Sequence, residues 1–564
     1  MKKSAIVSMF FLFSFAISLA WSPATNKAML DTFFAEYDWV NDYGCRKEFG
    51  QFPRLYNMYL SCISIMSYGG EQLRYRAARA LSKWDVLILQ YYWFHRSQFR
   101  FQSEMIESIR VYHPDIILLL YFPGGSVPTD SNGYLCQAVF DSLNAINCWI
   151  KDTAGNVYHH GSWWPINYFK YPDAVRIMTK FILATLDSFP YFDGVMLDVV
   201  YSRKVLANWI YDSSQPIDVN EDGRCDWTQF GSSGVDSVIK WIQTGLCSLI
   251  STLRDTLGDS AIIVGNGGYP WFVTRRYPQD SVYWVARANG NMSEEILDED
   301  GLGKWRVHGP RLAIMAAMQN FRYAYANPIH FMGEATIDYW GEDSDPRGHI
   351  WRDRRQMRYT LCIALMTDGY YSYDTGGLSL SSHSEIWWFP EYNCNLGYAA
   401  GNADTLRDSH GNPYMVRQFT RGIVYLNANF DTSGTGDTVH VVLDTTYLDV
   451  STGDTVSEIY IPQYDGRILL RLDSLKVHEK TKPELPTINV SPNPFNEQCV
   501  ISIKGITLPN ASIEVLTTTG KVVAKFSLGN NQHKVKLSAF NLPSGIYFIR
   551  LTGTKATKKI LLIK

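Results

Sequence analysis

Asp198 ends an apolar run, Gly194-Val-Met-Leu-Asp198, that follows Phe192-Asp193. A carboxylate set against buried apolar residues is costly unless it is paired, hydrogen-bonded or used. In a parallel barrel the C-terminal ends of strands carry the chemistry, so Asp198 is the first catalytic candidate. The plainer alternative is an Asp that caps the next helix. Further along the chain, Asn266, Glu294, Glu334, Asp374 and Glu391 follow or sit in strand-like or loop segments. Large aromatics accompany them at Tyr92, Trp93, Trp163, Trp164 and Tyr201, and again at Trp387 and Trp388. Two carboxylates flanking a scissile bond are the minimal machinery of glycoside hydrolysis, one donating a proton and the other attacking or activating water. Amides and aromatic faces suit the binding of sugar rings. No Ser/His or Cys/His arrangement stands out. The set therefore favours glycan chemistry over phosphoryl, redox or pyridoxal chemistry, with a carbohydrate substrate and no required cofactor.

A second pattern concerns metal. Asp218, Asn220, Asp222, Gly223 and Asp226 alternate as in the first part of a calcium loop: oxygen ligands at every second position and glycine at the sharp turn. Gln229 stands at the twelfth place, where such loops use a bidentate Glu. A plain Asp/Asn/Gly turn explains the same residues. Calcium, where bound, is expected to be structural.

The elements that must position these groups read as βα units. Buried strands are expected at 85–92, 115–122, 192–200, 261–264, 282–286, 329–332 and 369–373, with a further one near 158–164. Pro172 opens a helix to about Ser188. Residues 235–253 form the clearest helix, with Val235, Val238, Ile239, Ile242, Leu246, Leu249, Ile250 and Leu253 at three- and four-residue steps. Eight strands over this length predict an α/β fold, a (β/α)₈ barrel. A doubly wound open sheet is the alternative, disfavoured because no Gly-x-Gly-x-x-Gly turn follows the first strand.

The texture of the chain sets its boundaries. Met1-Lys-Lys, an apolar run and Ser18-Leu19-Ala20 read as a signal peptide over residues 1–20. The barrel with its N-terminal extension occupies 21–417. Residues 418–476 turn rich in Val, Thr, Tyr and Gly, a small β-sandwich domain. A charged linker at 477–486 leads to a last module at 487–564. Aromatics make up 14% of the chain, which leans towards sugar stacking. The net charge of −3, without a basic run in the central region, argues against a nucleic-acid partner. No later segment is apolar enough for a transmembrane helix. The nine cysteines contain no C-x-x-C pair, which disfavours a cysteine zinc site, and their odd number leaves at least one without an intrachain partner.

Two stretches resemble known families. Ser491-Pro-Asn-Pro-Phe495, Thr518-Thr-Gly-Lys521, Leu542-Pro-Ser-Gly-Ile-Tyr-Phe548 and the basic end 555–564 resemble, in order and spacing, the type IX secretion sorting domain. That resemblance implies an immunoglobulin-like β-sandwich and handling by the type IX secretion machinery. It also implies secretion or surface attachment, by way of the periplasm and outer membrane. The central region resembles the glycoside hydrolase family catalogued as hypothetical family 15, and more distantly α-galactosidase-like and polygalactosaminidase-like barrels. The matching stretches are Phe192–Asp198, Asp218–Gly223, Ile262–Asn266, Asn289–Glu294, Trp387–Gly397 and Arg417–Gly422. Asn393 and Asn395 depart from the acidic pattern expected in that family. In related barrels the nucleophile follows strand four and the acid/base follows strand six. The resemblance thus implies Asp198 as nucleophile or base and Glu294 as acid/base, with Glu334 as substitute acid. Tyr92, Trp93, Trp163, Trp164, Tyr201, Asn266, Asp374 and Glu391 are the candidate sugar contacts. A non-catalytic carbohydrate-binding protein on a degenerate barrel is the competing reading.

Overall fold

The computed structural model describes residues 50–59, 78–90, 102–128, 137–159, 163–200, 216–229, 234–267, 284–293, 296, 313–335 (save 316 and 319), 354–374, 388–428 and 437–472. In the C-terminal part it describes 487–504, 512–517, 521–527, 534–539, 542–551 and 557–564. The expected signal peptide lies outside the described residues. The chain divides into two compact units at Leu472/Asp473.

The first unit is built on one eight-stranded sheet whose neighbours are all parallel. Its strands follow chain order: β1 (Tyr56–Tyr59), β2 (Val86–Gln90), β3 (Ile117–Pro123), β4 (Gly194–Asp198), β5 (Ile262–Asn266), β6 (Gly290–Ser293), β7 (Ile329–Ala335) and β8 (Tyr370–Asp374). A parallel bridge between Leu55 and Tyr371, with Tyr371 N donating to Arg54 O at 2.9 Å, brings the last strand back to the first. The sheet is a barrel.

Strands buried on both faces must be apolar at every position rather than at alternate ones. β2 and β3 are buried throughout. In β3, Leu119 and Tyr121 join the cluster on the barrel axis, with Val86, Ile88, Met196, Val264, Met292 and Phe331. Leu118, Leu120 and Phe122 pack outward, against the helical layer. That layer includes α1 (Gln102–Tyr112), α2 (Gln137–Ala145), α3 (Pro172–Ser188), α4 (Gly234–Leu257) and α5 (Arg354–Leu365). The apolar stripe of α4 is buried as its spacing predicts, from Val238 to Leu253.

Three polar residues fix the strand ends at the N-terminal rim. Asp85, Asp193 and Asn289 each stand one residue before an even-numbered strand. Asp85 Oδ2 accepts Leu55 N at 2.7 Å, Asp193 Oδ2 accepts Leu118 N at 2.8 Å, and Asn289 Oδ1 accepts Ile263 N at 2.8 Å. The main-chain oxygens of the same residues accept the amides of Ile117, Ile262 and Ile329, each at 2.9 Å. One residue thus clasps the strand before and the strand after its own. Arg110 holds Asp193 from α1 at 2.7 Å, and the buried Arg254 at the end of α4 donates to Asn289 Oδ1 at 2.5 Å.

The strand expectations need three corrections. Tyr56–Tyr59 is the first strand; its short Tyr-Asn-Met-Tyr sequence gives no apolar run. Near 158–164 the described residues add no barrel strand: Trp163–Pro165 pairs antiparallel with Ser126–Pro128 in a short ribbon. In place of a strand at 282–286, Trp284–Arg287 forms a 3₁₀ turn and the sixth strand follows at Gly290. The first two errors cancel, so Asp198 still ends strand four.

An antiparallel six-stranded sheet follows: β9 (Asp404–Arg407), β10 (Pro413–Gln418), β11 (Gly422–Asn427), β12 (Val439–Asp449), β13 (Thr455–Ile461) and β14 (Gly466–Arg471). It begins upstream of the texture change near Arg417. β12 is irregular between Val442 and Tyr447. It pairs with β13 on both sides of the irregularity, its second half pairs with β14 as well, and one face of the sheet gathers Tyr414, Tyr425, Val441 and Ile459 into a core. The opposite face, with Val424, Leu426, Ile468 and Leu470, shares a core with Met357, Leu361 and Leu365 of α5. Beside that core Arg358 makes a two-pronged bond to Asp465, both contacts at 2.8 Å, and Arg467 adds a third at 2.6 Å. Arg417, also buried, donates to Leu365 O and Thr367 O and to Asp368 Oδ1.

The second unit contains a three-stranded sheet (Thr487–Ser491, Gln498–Lys504, Lys534–Ser538) and a four-stranded one (Val522–Ser527, Ser512–Thr517, Gly545–Leu551, Thr557–Leu562). Both contribute to one core around Ile501, Ile513, Val515 and Ile549.

Burial pushes the Asp465 carboxyl up, but Arg358 and Arg467 outweigh it and hold the group below the usual Asp range. The folded state then favours the carboxylate. The contribution is present above the ordinary Asp range and is lost as pH falls through the lowered value. Asp465→Asn leaves Arg358 buried without its counter-charge and should cost about 3 kcal/mol in urea unfolding at neutral pH. The penalty should shrink on acidification. A cost that does not change with pH would show that Asp465 acts by packing alone.

Candidate active site

The C-terminal ends of β3, β4 and β5 lie side by side and carry Tyr121, Asp198 and Asn266. Strand alternation puts Asp198 two residues beyond Met196 and Asn266 two beyond Val264, in phase with the axis cluster. The three side chains meet. Tyr121 Oη donates to Asp198 Oδ2. Asn266 Nδ2 donates to Asp198 Oδ1 at 3.0 Å, and the amide of Val199 donates to the same oxygen at 2.8 Å. Each donor favours the carboxylate over the acid, the form needed by a nucleophile or general base. Asp198 is half-buried at the end of its strand.

The backbone around Asp198 is forced. Val199 has φ +58°, a left-handed conformation that a β-branched residue adopts only under constraint. Its neighbours supply the constraint: Val200 N donates to Asn266 O at 3.0 Å, and Gly124 N donates to Asp198 O at 2.7 Å. Gly124 itself has no space for a side chain, since a Cβ there would lie 2.7 Å from Asp198 O. The buried Tyr168 hydroxyl holds Gly124 O at 2.7 Å. The turn is thus tied to both neighbouring strands, and Asp198 is aimed by its main chain as well as by its side-chain partners.

Gln90, which the sequence reading passed over, belongs beside this group. It ends β2 opposite Tyr121 and is in phase with Val86 and Ile88. Its amide oxygen is buried and has no hydrogen-bond partner among the described residues. The signal was present in the sequence: a lone amide ending the apolar run Val86-Leu-Ile-Leu-Gln90.

The other candidates fall in different places. Tyr92, Trp93, Tyr201, Glu294 and Trp387 lie outside the described residues. Glu334 stands in β7 beside Tyr373 of β8, at a strand position in phase with His330 and Met332. Ile329 and Phe331 hold the axis phase. Asp374 closes β8 in phase with the axis residue Tyr370. Trp163 is half-buried in the ribbon after β3, and Trp164 packs edge-on against Trp149 at 5.3 Å. Two expectations are overturned. Glu391 is no sugar contact: it is completely buried and bonded to Arg354 at 3.2 Å, within the aromatic core shared by the barrel and the antiparallel sheet. Trp388 is no platform: it is buried, packs edge-on against Trp84 at 5.2 Å and donates to Asn393 at 2.8 Å.

The Asp218–Gln229 segment forms a tight loop stabilised from within. Asp218 accepts the amides of Asp222 and Gly223 at 3.0 and 2.8 Å; Asn220 accepts Asp222 N, and Asp222 accepts Arg224 N, each at 2.9 Å. Asp226 is buried and accepts Val219 N at 2.6 Å. Burial, with smaller repulsions from Asp218 and Asp222, pushes its carboxyl up to about 6.

Residues 489–564 match the secretion system C-terminal sorting domain, which marks the chain for export by the type IX route to the cell surface or beyond. No curated protein matches the sequence. Among solved structures, the chain is similar to an alpha-amylase from Lactobacillus plantarum (9% identity over 74% of this chain and 98% of that one, TM-score 0.41). It is also similar to an alpha-amylase from Geobacillus thermoleovorans (10% identity, 74% and 98%, TM-score 0.40). For the alpha-galactosidase from Lactobacillus brevis the values are 9% identity, 76% of this chain, 56% of that one and a TM-score of 0.40. The barrel is defined by its own strand order and register.

Replacing Val199 tests the strain beside Asp198. Alanine and glycine remove the same packing, but only glycine is at ease with φ +58°. The left-handed conformation costs an L-residue roughly 1–2 kcal/mol, more than the extra freedom that glycine gains on unfolding. Val199→Gly should therefore be more stable than Val199→Ala in urea unfolding, by about 1 kcal/mol. The usual order, alanine above glycine, would show that the turn is unstrained.

Proposed function

We propose that the chain is an exported glycoside hydrolase in which Asp198 acts as nucleophile or general base at the mouth of the barrel. The observation that carries this reading is the triple anchoring of the Asp198 carboxylate, by Tyr121, Asn266 and the Val199 amide, at the C-terminal end of β4. Such anchoring keeps the group ionised and fixes its direction, as attack on an anomeric carbon or on a water requires. Tyr121 can also follow the charge, drawing closer as Asp198 regains its negative charge when the sugar departs. Glu294, directly after β6, is the proposed proton donor. Trp163 is a candidate platform for a sugar ring.

A panel of polysaccharides and aryl glycosides, incubated with the exported form and with Asp198→Asn, tests this. Asp198→Asn should lower kcat/KM by about a thousandfold or more on whichever glycan is cleaved, with an unchanged unfolding profile. Tyr121→Phe should lower kcat by about tenfold with a smaller change in KM. Full activity in Asp198→Asn would remove Asp198 from the mechanism. Glycan binding without cleavage by the wild type would favour the binding-protein reading.

A further inference from the structure

We propose that the Asp218–Gln229 loop is a binding site for a hard divalent cation of the calcium type, with Asp218, Asp222 and Asp226 as its charged ligands. The observation that points to a ligand is Asp226. Its side chain is fully buried, one oxygen is taken by Val219 N at 2.6 Å, and the other has no hydrogen-bond partner among the described residues. A buried carboxylate oxygen left in this way is costly. A bound water can donate to that oxygen, but a divalent cation satisfies it and neutralises the carboxylates of the same loop as well.

The loop is already shaped for such an ion. Glu221 and Gly223 take left-handed conformations, φ +58° and +82°, which curl the chain around its acidic side chains. Glu221 is turned out of the group and held by Tyr171 and Lys151. Asn167 and Lys170 hold the carbonyls of Val219 and Asn220, each at 2.8 Å. Among the described residues no three acidic, His or Cys side chains converge to metal distance in the present arrangement. The exposed Asp222 is the reason we assign: its Oδ2 is drawn to Gln229 Nε2 at 2.9 Å. Turning it inward exchanges its exposed bonds to Arg224 N, Gln229 Nε2 and Asn220 Nδ2 for the cation. Flexible coordination by carboxylate and amide oxygens suits calcium better than magnesium, which demands a near-ideal octahedron. With Gln229 where a bidentate Glu would stand, affinity should be low, with Kd on the order of 10⁻⁴ M, the range of extracellular modules. A type IX cargo meets that milieu.

The full chain, stripped with EDTA, is dialysed against radiolabelled calcium chloride with and without magnesium, and its thermal unfolding is followed in parallel. We expect saturable binding of one calcium per chain, little competition from magnesium, and a Tm that rises with calcium. Asp222→Ala, a change at an exposed residue, should weaken binding by about tenfold, while Gln229→Glu, which restores the bidentate ligand, should tighten it by a similar factor. The proposal is overturned if the wild type shows no saturable binding at millimolar calcium. It is equally overturned if both variants bind as the wild type does. A calcium-insensitive Tm that rises in Asp226→Asn would mean that Asp226 is simply a buried protonated acid. None of these readouts depends on glycan cleavage.

Discussion

The barrel depends on a clasp repeated three times around its N-terminal rim. Asp85, Asp193 and Asn289 use the side chain to hold the strand before and the main chain to hold the strand after. A parallel sheet buried on both faces has no pattern of its own against slippage, because a one-residue shift exchanges one apolar residue for another. The clasps supply the missing register. Once Asp193 is locked to Leu118 and Ile262, the five residues of β4 carry Asp198 to the opposite rim, level with Asn266 and two residues beyond the partner of Tyr121. The position of the candidate nucleophile is therefore set at the far end of its strand.

The antiparallel sheet is secured by a different means. Its apolar face completes the outer packing of α5, and buried arginines cross the seam: Arg358 to Asp465, Arg417 to the end of α5 and the turn after it. Buried pairs of this kind add little net stability over apolar packing but penalise any other alignment heavily. They fix where the sheet docks. Glu391 and Trp388 belong to the same region. Their chemistry looked like that of a sugar site, and their role is to fill and charge-balance a core.

Much of this was legible in the sequence, for identifiable reasons. Continuous apolar runs exposed β2, β3, β4 and β7, and the spacing along α4 gave its buried face. Strand β1 escaped because its four residues hold two tyrosines and an asparagine, and what makes them a strand is the pairing with β2. Aromatic-rich 158–164 carried strand-like composition without a partner strand in the barrel. Asp198 could be picked out because a carboxylate at the end of an apolar run is rare on physical grounds. Its anchors could not, since Tyr121 and Asn266 reach it only through the lateral order of the strands. Gln90 shows the converse: its signal was as plain as that of Asp198, but an amide carries no charge and so attracts less notice. Glu391 was misplaced because sequence shows the presence of a carboxylate and not its depth.

The clasps at one rim and the anchored carboxylate at the other divide labour between the two ends of each strand. None of the three clasps uses a loop at the Asp198 end. The length and composition of those loops can change while the clasps keep the strands aligned, so the surface around Asp198 can vary without a fresh solution to folding. The opposite rim has no such latitude. A change at Asp85, Asp193 or Asn289 alters three strands together, so variation at the Asp198 rim is open only for as long as those three residues or their equivalents are kept.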